Sequence, residues 1–367
     1  MAEPAPATGT GAMPEEFRSS HLLKRVAQLA AVAIVVVIAI NSLPGLDEVK
    51  QRLTDADPFW VVMIALAEVG SCLGYMVVFR STFCAQMSWA LSYQIAMAEL
   101  AANSLLPSGG AGGLALGVWA LKQAGMPTGH IARRTVTFFV VTSAANFFVL
   151  ILVGLAVFVD ILAGKDDPAL SLVPAVITAL GALIVGLSPG LLRALGKRGE
   201  QIKTDTRRGR VAKAVWSGLE AVADGVDQAK MLLRHHSFGV IVGSLGYMAF
   251  DIAALGAAFA ATGSVPAFGT LVLAYLIGQL GNLIPLPGGI GGTEGALIGV
   301  FALYGVSLTE ASAAVLAYRL FQLFIPALLG VPAFFVLRRT LMHSDHPAAM
   351  CAPLALDVVK LPASSRA

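Results

Sequence analysis

Residues 282–295 read NLIPLPGGIGGTEG, a glycine- and proline-rich stretch with long apolar runs on both sides. The whole chain is 57% hydrophobic and 13% charged, with a mean hydropathy of +0.78. This composition excludes an ordinary soluble domain and indicates an integral membrane protein. Inside a bilayer, backbone that leaves the helix is tolerated only where protein buries it or where it lines a polar cavity.

Six stretches are long and apolar enough to cross a bilayer, which takes about 20 residues. They are 22–43, 59–79, 131–159, 170–191, 238–262 and 311–337. Two further apolar stretches, 93–124 and 267–304, are interrupted by NSLLPSGGAGG and NLIPLPGGIGG. Each half has only about 15 residues, so we expect two broken-helix re-entrant hairpins, with two tilted crossings as the alternative. The predicted fold class is an all-α polytopic membrane helix bundle.

The two interruptions resemble each other, and we name them the first break (103–113) and the second break (282–292). They align without gaps, matching the asparagine and all four glycines, and each is preceded by two spans and followed by one. The chain therefore divides into a first membrane repeat, 22–160, and a second, 168–338, of opposite topology. Such inverted repeats are typical of secondary transporters. The alternative is that glycine clusters recur in membrane helices because small residues allow close packing.

The distribution of basic residues predicts the orientation. With the amino terminus in the cytoplasm, most of the 25 lysines and arginines fall on the inner side of the membrane. Only Lys50, Arg52 and Lys165 fall outside, while Arg319 falls within a span. Because basic loops stay on the cytoplasmic side, both termini are expected there.

The terminal segments 1–21 and 343–367 lack hydrophobic periodicity and are predicted to be disordered cytoplasmic tails. Lys24 and Arg25, followed by an apolar run, also fit the start of a secretory signal. The preceding tail is long, however, and AINSLPG is a poor cleavage site, so we expect a retained first helix. The expected location is the cell (cytoplasmic) membrane, with several crossings.

A soluble segment, 193–234, joins the two repeats. Its basic cluster at 207–213 leads into Val215, Leu219, Val222 and Val226, which recur at helical spacing. Two interpretations stay open: an amphipathic helix on the inner leaflet, or a solvated connector that only fixes the orientation.

Each break is expected to end at the start of a new half-helix, whose first amides have no partner within the helix. Such a start attracts anions, and phosphate in particular. Glycine also lets a ligand approach the backbone closely. The predicted substrate-binding residues at the second break are Asn282, Gly288, Gly289, Gly291, Gly292, Thr293 and Glu294. Those at the first break are Asn103, Ser108, Gly109 and Gly110.

Glu294 and Arg319 are the charged residues closest to this pattern. Glu294 either caps the new half-helix or pairs with Arg319, the one basic residue within a span. A charge at membrane depth is costly, so it faces a cavity, a partner or both. We predict that Arg319 holds Glu294 when the site is empty and a phosphate when it is filled.

Glu68 and Asp251 lie in the middle of the second span of each half. They are candidates for coupling transport to the proton gradient, and the alternative is that each only makes hydrogen bonds between helices. Gln279 and Gln322 are further polar residues at membrane depth.

No catalytic residue, metal site or cofactor is predicted. The six histidines lie in tails or loops, and the three cysteines form no CxxC pair. GGIGGTEG fails the spacing of a dinucleotide-binding loop, and no serine-hydrolase or P-loop pattern is present. The chain is therefore not expected to be an enzyme.

At the two breaks and around Arg319, the sequence resembles the flippase-like family named for the membrane domain of bacterial lysylphosphatidylglycerol synthases. The resemblance rests on LLPSGGAGG, on PLPGGIGGTEGAL followed by GVSLTEASAAVLAYRL, and on PALLG, and it covers about residues 22–340. It implies lipid translocation, because relatives are thought to move aminoacylated phospholipid or polyprenyl-linked glycolipid between leaflets. Members with aminoacyl transferase activity carry it on a separate soluble domain.

Three functions follow from these observations. The leading one is a transporter that flips a phosphate-bearing lipid, either a phospholipid or a polyprenyl-linked lipid. The others are a transporter or channel for a small soluble anion, and a membrane scaffold subunit that transports nothing. Partners consistent with the sequence are membrane lipids, a second copy in a homodimer and a separate lipid-modifying enzyme, whereas nucleic acid is not expected.

Overall fold

The computed structural model describes residues 47–105, 111–164, 167–187, 190, 207–235, 237–283 and 291–343. Regular structure in these residues is helical. The helices are α1 (Asp47–Thr54), α2 (Pro58–Phe83), α3 (Trp89–Leu105), α4 (Ala111–Gln123), α5 (Thr128–Phe158), α6 (Pro168–Leu187), α7 (Arg207–His235), α8 (Ser237–Thr262), α9 (Phe268–Gly278), α10 (Gly292–Leu303) and α11 (Leu308–His343). A 3-10 turn, Gln279–Leu283, follows α9.

Five of the described helices are long and apolar enough to cross a membrane, namely α2, α5, α6, α8 and α11. They coincide with five of the six predicted spans and confirm an all-α polytopic membrane bundle. The remaining predicted span, 22–43, lies outside the described residues, as do the predicted tails apart from His343. The total number of spans and the division into repeats stay predictions.

Local sequence explains where α2 begins. The Asp57 carboxylate accepts the backbone N–H of Phe59 at 2.9 Å. Pro58 stands at the first helical position, where its missing N–H costs nothing. A side-chain cap followed by proline therefore starts the helix just before its apolar run.

Helices α2 and α8 pack closely and antiparallel at the centre of the bundle. A Cβ atom on Gly74 would lie 2.7 Å from the Tyr247 Cα, and one on Gly243 would lie 2.8 Å from the Val78 Cα. The residue number rises from 74 to 78 along α2 while that of the contacting residue falls from 247 to 243 along α8, so the two helices are antiparallel. Glycine is needed at both positions because the two backbones leave no room for a side chain.

Helices α3 and α4 form a hairpin around the first break. The Asn103 side chain lies against Gly113, and Glu99 lies against Gly117, where an added Cβ would be 2.8 Å from the Glu99 Oε1. The two helices have 17 and 13 residues, both below the length of about 20 that a span requires.

Helices α9 and α10 form the corresponding hairpin around the second break. A Cβ atom on Gly278 would lie 2.5 Å from the Leu297 side chain, and one on Gly281 would lie 3.0 Å from the Thr293 Cα. The helices have 11 and 12 residues. The predicted interruptions therefore separate short antiparallel half-helices in both stretches.

Each hairpin also packs against the last span of the other half. In α11, a Cβ atom on Gly330 would lie 2.8 Å from the Met97 carbonyl carbon in α3. In α9, a Cβ atom on Gly269 would overlap the Val157 side chain in α5. Each contact joins the hairpin of one half to the last span of the other half, so the two contacts occupy equivalent places in the two halves. An inverted repeat has this arrangement. The repeat stays a prediction because its first helix lies outside the described residues.

Helix α7 runs through the segment that was expected to lie on the leaflet or to remain solvated. Its Val226 is buried, and a Cβ atom on Gly225 would lie 2.8 Å from Val136 of α5. The Thr137 hydroxyl donates to the Gln228 amide oxygen at 3.3 Å. This end of α7 therefore packs on the protein, and membrane contact stays a prediction for the earlier part of 193–234.

Candidate functional site

Helix α10 begins at Gly292, the last residue of the second break, and Glu294 in its first turn caps its start. Gly291 has a φ of 95°, a left-handed conformation that suits glycine. The Glu294 Oε2 accepts the Gly291 N–H at 2.7 Å. A carboxylate at this position satisfies an orphan amide and is favoured by the helix dipole.

Arg319 of α11 reaches the same carboxylate. Its Nε donates to the Glu294 Oε1 at 2.8 Å, and each side chain is 14% exposed. The two roles considered for Glu294 therefore coexist, since one oxygen caps α10 and the other pairs with the guanidinium. Glu294 occupies the place that an external anion would take between the helix start and Arg319.

Hydrogen bonds continue from the guanidinium towards α8. The Arg319 Nη1 donates to the Gln322 Oε1. The Gln322 Nε2 in turn donates to both carboxylate oxygens of Asp251 at 3.3 Å and to the Tyr318 hydroxyl. Arg319 is thus oriented from two sides, by Glu294 and by Gln322.

Asp251 is buried at the far end of this series of hydrogen bonds and is surrounded by hydrogen-bond donors. Its Oδ1 accepts the Tyr318 hydroxyl at 2.8 Å, and its Oδ2 accepts the Tyr275 hydroxyl. The Gln279 side chain hydrogen-bonds to Tyr275. An ionised carboxylate only accepts hydrogen bonds, so this set of donors suits a charged Asp251.

Glu68 of α2 lies near this hydrogen-bonded cluster, which comprises Glu294, Arg319, Gln322, Tyr318, Tyr275 and Asp251. It interacts electrostatically with Asp251 and Arg319. Its side chain is buried, and its Oε2 has no hydrogen-bond partner among the described residues. Two candidate acids therefore meet at the α2–α8 contact, although their surroundings differ.

Some of the predicted binding residues fall outside the described part of the chain. These are Ser108, Gly109, Gly110, Gly288 and Gly289. Asn282 lies in the 3-10 turn, where only its backbone is described. Gly292 and Thr293 form the first turn of α10 and are buried against Gly281 rather than open to a ligand.

The cluster also contains two residues that the sequence analysis missed, Tyr275 and Tyr318. Both are buried, and both donate to Asp251. A signal was available for Tyr318, since it precedes Arg319 and lies four residues before Gln322 on the same helix. Buried tyrosine hydroxyls usually find a hydrogen-bond partner, so apolar helices that carry tyrosine call for one.

Asn103 contributes to the first hairpin in a different way. Its Oδ1 accepts the Gly113 N–H at 2.9 Å. Gly113 is the third residue of α4, so its amide has no partner within that helix. Asn103 therefore caps α4 across the break.

Replacing Asn103 by alanine is expected to destabilise the protein by about 1–3 kcal/mol, because it leaves the amide of the buried Gly113 unsatisfied. Thermal unfolding of the purified protein in detergent would measure this effect. Ser104→Ala is the matched control, since the Ser104 hydroxyl donates at 3.1 Å to Leu100 of its own helix. Equal unfolding temperatures for the two variants would contradict the capping role.

The Glu294–Arg319 arrangement is suited to ion exchange. A guanidinium binds carboxylate and phosphate through the same N–H fork, so a phosphate could replace Glu294 without any change of donor.

Among the described residues, no group of three or more His, Cys, Asp or Glu side chains could hold a metal ion.

Comparison with known proteins gives two matches. The family model described as Lysylphosphatidylglycerol synthase TM region matches residues 26–330. A UPF0104 membrane protein of Methanothermobacter thermautotrophicus (strain Delta H) is 37% identical over 91 residues, which is 24% of this chain and 26% of that protein. The chain thus matches about a quarter of the length of that relative.

Proposed function

Because the chain belongs to the lysylphosphatidylglycerol synthase transmembrane-region family, we propose that it flips a phosphate-bearing lipid between leaflets. The lipid is either a phospholipid or a polyprenyl-linked lipid. The observation that carries this proposal is the Arg319–Glu294 pair at the start of α10, with a nitrogen–oxygen distance of 2.8 Å. The chain makes and breaks no bond in the lipid.

The energetic problem of flipping lies in the headgroup. Acyl tails stay in hydrocarbon throughout, whereas a charged phosphate loses its hydration as it crosses. A protein that supplies a partly buried guanidinium and a helix start replaces part of that hydration. Arg319 supplies the guanidinium, and the start of α10, whose Gly291 amide is capped by Glu294, adds the positive end of its helix dipole beside it.

The transport step is then an exchange of anions on Arg319. In the empty state Glu294 neutralises the guanidinium, which avoids an unpaired charge at membrane depth. An incoming phosphate takes the fork of Arg319, while Glu294 keeps its hydrogen bond to the Gly291 amide. Release of the lipid restores the Arg319–Glu294 pair.

The cellular setting belongs to the same proposal. The protein lies in the cytoplasmic membrane with both termini inside, as its basic residues predict. A separate enzyme modifies the lipid, and a homodimer is the proposed assembly.

A leaflet assay tests this function. The purified protein is placed in liposomes that contain fluorescent phosphatidylglycerol or phosphatidylcholine, and a membrane-impermeant reductant bleaches the label in the outer leaflet. We expect bleaching beyond the outer-leaflet fraction, relative to protein-free liposomes.

Uptake of chloride and inorganic phosphate in the same liposomes separates the remaining alternatives. Anion uptake without lipid movement would replace the proposal by a small-anion transporter. Movement of neither would favour a scaffold subunit and would likewise refute flipping.

A further inference from the structure

We propose that Glu68 is the proton-exchange residue of this site, whereas Asp251 is a fixed anion that positions Arg319. Protonation of Glu68 then lets an anionic headgroup bind to Arg319. The inference rests on the proposed function, since it names the group that regulates the same site. It also separates two acids that the sequence treats alike.

The hydrogen bonds around Asp251 fit a permanent negative charge. Both of its oxygens accept from tyrosine hydroxyls and from the Gln322 amide. The Tyr318 hydroxyl oxygen itself accepts from Gln322, so its hydrogen is directed to Asp251. A proton on Asp251 would displace one of these donors. Through Gln322, the same carboxylate fixes the plane of the Arg319 guanidinium.

The surroundings of Glu68 fit a neutral carboxylic acid. Its side chain is 3% exposed, and its buried Oε2 has no partner among the described residues. A charged oxygen in that position would be unsolvated and would face the negative charge of Asp251. Carrying a proton removes the repulsion and greatly reduces the cost of burial, so Glu68 is the acid that changes its charge.

The charges of the cluster show why this proton matters. With all groups ionised, Glu68, Asp251 and Glu294 oppose the single positive charge of Arg319. An arriving phosphate adds a further negative charge at membrane depth, where each uncompensated charge is costly. A proton on Glu68 reduces this excess. Loss of that proton to water instead creates a third carboxylate, which competes electrostatically with phosphate for Arg319.

The ionisable groups that interact with Glu68 come from three helices. They are Asp251 and Tyr247 of α8, Arg319 and Tyr318 of α11, and Cys72 of α2 itself. Glu99 of α3 hydrogen-bonds to Tyr75, further along α2. Helix α5 contributes no ionisable residue within 135–158. Asp251 and Arg319 are therefore the charges that set the state of Glu68.

The pH dependence of lipid flipping tests the assignment. Buried glutamates ionise as high as about pH 8–9, so flipping of fluorescent phosphatidylglycerol should fall between about pH 6 and about pH 10. We expect the ratio of the two rates to be about tenfold in the wild type and close to one in Glu68→Gln. Asp251→Asn should lower the rate at both pH values and keep a fall with rising pH, but the fall should lie at lower pH because the negative charge beside Glu68 is removed. A wild-type ratio in Glu68→Gln, or an Asp251→Asn rate that is independent of pH from about pH 4 to about pH 10, would overturn the inference.

Infrared spectroscopy tests the proton without requiring transport. Protonated carboxyl groups absorb above the amide band, and Glu99 is expected to contribute beside Glu68, because its buried Oε2 also lacks a partner among the described residues. Glu68→Gln should remove one component, Glu99→Gln the other, and Asp251→Asn neither. In Glu99→Gln, the remaining component should vanish as pH rises.

The two readouts separate this inference from the proposed function. Suppose that the protein flips no lipid and that Glu68→Gln removes a carboxylic infrared component. Glu68 would then carry a proton, as inferred, while the proposed flipping would be refuted. Flipping without that component would refute the role of Glu68 alone. If Glu68→Gln does not fold, the pH titration of Glu99→Gln still decides, since a component that is absent or unaffected by pH contradicts the inference.

Discussion

Arg319→Ala is expected to reduce lipid flipping in liposomes to the level of protein-free vesicles. The variant removes the guanidinium that pairs with Glu294 at 2.8 Å and that we assign to the phosphate. Leaving one charge uncompensated at membrane depth costs at least about 3 kcal/mol, which corresponds to roughly a hundredfold slower translocation. The leaflet assay measures this directly. Arg319→Lys should retain intermediate activity, because lysine keeps the charge without the planar fork.

Two control variants accompany this experiment, one for misfolding and one for the loss of a positive charge. Arg319→Ala leaves Glu294 without its partner, whereas the double variant Arg319→Ala/Glu294→Gln removes both charges together. The double variant should therefore elute as the wild type does in size-exclusion chromatography and still fail to flip lipid. Arg339→Ala, near the exposed end of the same helix, controls for the loss of one positive charge. Wild-type flipping by the folded double variant would refute the role of Arg319.

Gly74→Val is expected to prevent the bundle from assembling in one folded form. The Gly74 position faces backbone, since even a Cβ atom there would lie 2.7 Å from the Tyr247 Cα. Helices α2 and α8 would have to move apart at this contact, and overpacking of this kind costs about 1–3 kcal/mol, and occasionally more. The expected result is a large loss of monodisperse protein and a lower unfolding temperature in detergent.

Gly246→Val is the matched control for this prediction. Gly246 lies on α8 beside the same contact, yet an added Cβ there has nothing within 4 Å. Both substitutions introduce the same β-branched side chain into a helix, so their difference reports the helix–helix contact alone. Gly243→Val should behave like Gly74→Val, because it meets the backbone of Val78 from the opposite helix. Equal stability of the Gly74 and Gly246 variants would contradict the proposed packing.

Hydropathy and glycine content predicted much of the architecture. Five predicted spans coincide with described helices, and both interrupted stretches form pairs of short helices. These features follow from local rules, because a span needs about 20 apolar residues and a broken backbone must be satisfied by protein or water. The α7 segment was less predictable. Its apolar face fits lipid and protein equally well, and only the contact with Val136 shows which surface part of it covers.

The candidate site was predictable only in part. Arg319 and Glu294 stood out because each is a charge in an apolar region, and charge is visible in the sequence. The partners of Asp251 were not visible in this way, because Tyr275 and Tyr318 lie 24 and 67 residues away and read as ordinary apolar-helix residues. Nor could composition separate Glu68 from Asp251, since they differ in their neighbours and not in their chemistry.

The amino-acid sequence alone was enough to predict a helical membrane protein, the places where its described helices are interrupted, and the charges that are too costly to leave unpaired. These properties depend on side-chain polarity and backbone satisfaction, which are local to one helical segment of about 20 residues. The folded structure was needed to show that α2 and α8 meet through glycine faces, that Glu294 pairs with Arg319, and that Glu68 lies near Asp251 and Arg319. The rotation of each helix about its axis is set by packing against distant helices, so the pairing of charges across helices is a property of the folded bundle.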